Sequence, residues 1–168
     1  MSRRFMKFCK AMNSQLLELP ESVWAGLIDD LRRRGGGIRE AGAFLLGELN
    51  GATRRVRTWI PYDDLDAGAL AQGYVRLSTA AFTKLWAKCS ELEMVVVGDI
   101  HTHPKGPRQS MSDMANPMIS QAGHVALIVP NYAQGKVTPS DVSLNIYQGA
   151  KQWNSFFGHD AQRRIQLV

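Results

Sequence analysis

Apolar and polar residues alternate with two different periods along this chain, and the switches between them mark out its elements. Leu16-Leu17-Glu18-Leu19 reads as a short strand. Pro20 suits a first helical position, and Val23, Trp24, Leu27, Ile28 and Leu31 then recur at helical spacing until Gly35-Gly36-Gly37 stops the run. Trp24 is expected in the core. Two strand-like runs, 43–49 and 54–60, flank Asn50-Gly51, a strong hairpin signal. An irregular acidic loop is expected over 62–72 and a further strand over 73–77. Ser78 should cap a helix whose apolar positions are Ala81, Phe82, Leu85 and Trp86. The β-branched run 94–100 predicts a central strand, and a short helix should begin near Ser110. Strands are expected at 125–129, 142–147 and 164–168, a loop over 131–141, and a small helix over 151–157. Mixed strands and helices of this kind predict an α+β or three-layer α/β/α domain, a mixed sheet flanked by helices, over 15–168. Residues 1–14 read as a loose lead-in.

Composition narrows the function classes. The 168 residues, 45% hydrophobic and 21% charged, fit one folded domain. A net charge of +5 admits an acidic partner, yet the basic residues fall in scattered runs (Arg3-Arg4, Arg32-Arg33-Arg34, Arg54-Arg55 with Arg57, Arg163-Arg164) that read as solvated surface. Nucleic-acid binding is therefore not expected. Cys9 and Cys89, far apart, argue against a disulfide framework or a cysteine zinc site. Neither a secretory core nor an apolar run of membrane-spanning length is evident, so the expected compartment is the cytoplasm.

The chemistry gathers at the end of the central strand. In Asp99-Ile100-His101-Thr102-His103-Pro104 the two histidines are two apart, so both imidazoles point to one face and can share a metal ion. Pro104 cannot continue a central strand and turns the chain away, leaving room for a pocket. Catalytic zinc takes three protein ligands and keeps one position for water; Asp113 can be the third ligand if the Gly106-Pro107 loop folds back. Two neutral imidazoles and one carboxylate leave a net positive charge, which brings coordinated water toward a pKa of ~7. Ser110-x-x-Asp113 is equally a helix-capping pattern. Hydrolysis also needs a base that is not a ligand. Glu40, entering an apolar run, is a candidate; Glu48 sits farther along the same run. Asp99 could anchor an imidazole N–H or simply end the strand. His124 and His159 read as structural or exposed.

Together, Glu40-x-Gly42-Ala43-x-Leu45-x-Gly47, His101-x-His103-Pro104 and Ser110-x-x-Asp113 resemble the signature of the JAB/JAMM metalloproteases, or MPN-plus domains. The stretch 116–130 is more similar to their prokaryotic branch. The resemblance implies a JAB/MPN fold of the cytidine-deaminase-like kind, one Zn2+ held by His101, His103 and Asp113, base catalysis by Glu40, and oxyanion stabilisation by Ser110. Five residues separate Pro104 from Ser110 where many members have six, so Ser112 is the alternative donor. The resemblance further implies a peptidase or isopeptidase acting after the tail of a ubiquitin-like protein, with partners in a bacterial ubiquitin-like conjugation operon, antiphage systems included. A catalytically silent MPN scaffold, or a peptidase for a small isopeptide or sulfur-carrier precursor, are the alternatives.

Overall fold

A computed structural model describes residues 15–72 and 75–168. The expected lead-in over 1–14, with Cys9 and Arg3-Arg4, lies outside the described residues, as do Gly73 and Tyr74 of the expected fourth strand. Residues 75–78 form no strand.

Among the described residues, eight strands make one mixed sheet. In chain order they are β1 (Leu16–Leu19), β2 (Gly42–Asn50), β3 (Thr53–Pro61), β4 (Val95–Thr102), β5 (Val125–Val129), β6 (Ser143–Gly149), β7 (Gln152–Phe156) and β8 (Ile165–Leu167). Their spatial order is β7-β6-β5-β4-β2-β3-β1-β8. β2 lies antiparallel between β3 and β4, β4 and β5 are parallel, and β1 runs parallel to both β3 and β8. The helices are α1 (Glu21–Gly35), α2 (Tyr62–Leu65), α3 (Thr79–Leu92), α4 (Met111–Ala115) and α5 (Gly158–Gln162).

This is not the helix-flanked three-layer sandwich expected from the JAB/MPN resemblance. The sheet dominates and curls into a half-barrel. Among the described helices only α1 and α3 exceed five residues, too little to layer eight strands. Periodicity identifies segments but cannot say how much sheet each helix covers. The region expected to be a small helix, 151–157, holds strand β7, which pairs with β6. The hairpin forms, but its two turn residues are Gly51 and Ala52, because Asn50 already pairs with Thr53. Gly51 takes φ +61, which suits the first turn position.

Local chemistry explains the two long helices. Pro20 is extended at the N-cap of α1 rather than inside it, and Gly36, at φ +59, closes the helix by donating to Arg32 O. Trp24, Leu27, Ile28 and Leu31 are buried, the core positions that the spacing predicts. Truncating a buried leucine such as Leu27 to alanine costs roughly 2–5 kcal/mol. Ser78 caps α3, accepting from Ala81 N–H. Trp86, expected on the apolar stripe of α3, is instead half exposed.

Two arginines of these runs are less solvated than their clustering suggests, while Arg33 and Arg163 are exposed as expected. Arg34 is mostly buried between α1 and α2, against Asp30, Asp63 and Asp64. Arg54 is clamped on Val97 O and Gly123 O, and burial lowers its pKa to about 10. Cys89 is a buried free thiol, its pKa raised by that burial. Among the described residues no helix is long and apolar enough to cross a membrane.

Candidate metal centre

The pairing of β2 with β4 sets the site. Gly42 pairs with His101, and Ala41 is tied to Thr102 through backbone and side chain: Thr102 N–H donates to Ala41 O at 2.8 Å, and Ala41 N–H to the Thr102 hydroxyl Oγ1 at 3.0 Å. Continuing that register places Glu40 opposite His103. Gly42 must be glycine here, since a Cβ would meet the Tyr62 ring at 2.4 Å and Ile100 O at 2.8 Å. Gly47 is needed too, because its Cβ would lie 1.9 Å from Arg55 O at the β2–β3 irregularity.

Asp113 arrives on α4. Ser110 caps that helix in a reciprocal box: Asp113 N–H donates to Ser110 Oγ at 3.1 Å, and Ser110 N–H to Asp113 Oδ2 at 2.6 Å. Capping and ligand placement are thus one device. Trp153 Nε1 donates to Met114 O, tying α4 to β7.

His101, His103 and Asp113 converge, with ligand atoms within 4.8 Å of one another. His101 Nε2 and His103 Nε2 lie 3.0 Å apart; Asp113 approaches them at 3.5 Å and 3.2 Å. Ligands about 2.0–2.1 Å from one tetrahedral ion stand about 3.3–3.4 Å apart, so these separations fit a shared ion. The histidines are 7% and 8% exposed, and this buried His-His-Asp group can hold a metal ion. Glu40 stays outside the trio, its Oε1 3.9 Å from His103 Nε2.

The electrostatics agree with that geometry. Burial raises the pKa of Glu40, while the two imidazoles and the Val75 N–H act the other way. Burial would also raise Asp113, but hydrogen bonding to His101 and His103 holds it well below the usual carboxylate range. For His101, burial works against the charged form, yet Asp113, Asp99 and Glu40 together outweigh it and the pKa rises. Glu40, His101, Ser110, Ser112, Asp113 and Met118 help to line a cavity of about 390 Å³. Glu48 lies at the exposed end of β2, paired with Arg57.

Asp99 does anchor an imidazole, but not that of His101 or His103. Its Oδ1 meets His124 Nε2 and its Oδ2 accepts from Tyr62 O–H at 3.1 Å, all three groups being buried. His101 Nδ1 is buried with no partner among the described residues. Tyr62 and Val75 carry no sequence signal for these roles, whereas Asp99 could be suspected from its alternation with His101.

Fold and site together define a sheet-dominated protein with a buried His-His-Asp cluster that could hold a metal ion and a glutamate beside it. No family model matches the chain. Among solved structures it is similar to the solution structure of protein DSY2949 from Desulfitobacterium hafniense, with TM-score 0.65 and 19% identity over 91% of this chain and 93% of that one. At that identity the likeness concerns the fold alone.

Proposed function

We propose that this chain is a zinc-dependent peptidase or isopeptidase of the JAB/JAMM type, hydrolysing the bond after the C-terminal tail of a ubiquitin-like protein in the cytoplasm. The observation that carries the reading is Glu40: a largely buried carboxylate beside the His-His-Asp group yet not part of it. The motif and the site support this assignment; the fold does not add to it. Zinc at this position would act as Lewis acid and acidify the attacking water. Glu40, with its pKa raised by burial, is suited to take that water's proton at Oε1 and return it to the leaving amine. Ser110 Oγ accepts from Asp113 N–H, which leaves its own hydroxyl proton free to donate to a developing oxyanion. A chain-like substrate is supported by the site cavity sharing Val75, Ser112, Asn116 and Met118 with a neighbouring cavity lined further by Leu77 and Phe82.

The test is a ubiquitin-like protein carrying a C-terminal peptide extension, incubated with zinc-loaded protein and read by intact mass. Wild type should release the peptide. Glu40→Gln should keep its zinc and lose roughly 10²–10⁴-fold in rate. Cleavage by Glu40→Gln at the wild-type rate would refute the base assignment. No cleavage by the zinc-loaded wild type would count against the peptidase reading.

A further inference from the structure

Asn131, Tyr132 and Ala133 take φ +51, +51 and +58, three consecutive non-glycine residues in the left-handed region. L side chains disfavour that conformation, so it persists only where the surroundings over-determine it. Here they do. Asn131 N–H donates to Lys105 O at 2.9 Å, Tyr132 N–H to His103 O at 2.8 Å, and Ala133 N–H to Pro130 O at 3.0 Å. From α1, Arg32 donates through Nε to Ala133 O at 2.8 Å and through Nη2 to Gly135 O at 2.7 Å.

The turn meets the site at one residue. His103 lies just beyond β4, and Pro104 forbids any continuation of the ladder. Its N–H nevertheless donates to Val129 O at 2.8 Å and its C=O accepts from Tyr132. Both backbone groups of this metal-ligand candidate are therefore held by the end of β5 and the turn that follows. We infer that the left-handed turn Asn131–Ala133, clamped by Arg32, positions His103 for metal binding, and that Arg32 is a positioning residue remote from the chemistry. The inference rests on the metal reading of the site.

The experiment measures Zn2+ affinity by chelator competition, and the visible absorption of the Co2+-loaded protein, which reports ligand geometry. Arg32→Met should weaken Zn2+ binding by about 10-fold or more, in the range seen for outer partners of metal ligands, and alter the Co2+ bands. Arg32→Lys should recover part of both, and Arg33→Met should stay within about twofold of wild type, a control outside the clamp. If Arg32→Met does not fold, Asn131→Val decides: the exposed β-branched side chain disfavours φ +51 without touching the core, so zinc should bind more weakly. Wild-type affinity and spectrum in a folded Arg32→Met, or wild-type zinc affinity in Asn131→Val, would overturn the inference. A wild-type protein that takes up neither metal would remove the metal reading and, with it, the positioning claim. The two failures are therefore distinct.

Discussion

Two buried polar clusters share one strand, and they are built to opposite ends. Around Asp99 every partner is supplied from within: His124 takes one carboxylate oxygen, Tyr62 the other, and all three side chains are nearly sealed from water. Two residues on, the His101–His103–Asp113 cluster brings two imidazole nitrogens face to face at 3.0 Å and leaves His101 Nδ1 with no partner among the described residues. A closed network holds a fold together, since unpairing any member strands a buried polar group. An open one leaves convergent lone pairs that a cation could satisfy. Burial alone does not separate the two; the internal supply of partners does.

The comparison breaks most visibly at His124. His124→Ala leaves the Asp99 carboxylate buried with half its partners gone and should cost about 3–5 kcal/mol in urea unfolding, while one metal ion per chain is retained. A metal stoichiometry that fell with stability would merge the two clusters into one unit. Next in size is the metal itself. At a hundredfold excess over its dissociation constant, Zn2+ should raise the unfolding free energy by about 2.7 kcal/mol; His103→Ala should abolish the gain and a chelator should reverse it. An equal gain in His103→Ala would place the ion elsewhere. Gly42→Ala forces a methyl into the Tyr62 ring and should cost about 1–3 kcal/mol by overpacking, disturbing the sealed cluster and the strand that carries Glu40 together. The smallest effect belongs to Tyr62→Phe. Losing one hydrogen bond to Asp99 should cost on the order of 1 kcal/mol, with zinc affinity unchanged if the closed cluster acts only on stability.

Much of the site was legible because its signals are local. Strand alternation puts His101 and His103 on one face, and a capping box at Ser110 fixes the entry of Asp113 into a helix. Neither signal needs distant residues. The partners of Asp99 were not legible, because Tyr62 and His124 come from other elements and meet it only across the sheet. Arg32 was read as part of a solvated run, and nothing in that run points to the carbonyls of Ala133 and Gly135 about a hundred residues away. Trp86 matches the helical spacing of its neighbours, yet among the described residues it is left half exposed.

Sequence alone determined the segment types wherever the pattern was long, as in the β-branched β4 and the helix stopped by Gly36, and it put His101 and His103 on one face. Glu40 and Asp113 joined them only as what the family resemblance implies. Periodicity and capping act within a few residues of chain, so they can be read without a fold. Tertiary structure decided the rest, namely the curled eight-stranded sheet in place of a layered sandwich, the strand at 152–156, and which buried polar groups find partners. Those outcomes depend on strand order and on packing between residues far apart in sequence. A local pattern carries no term for either.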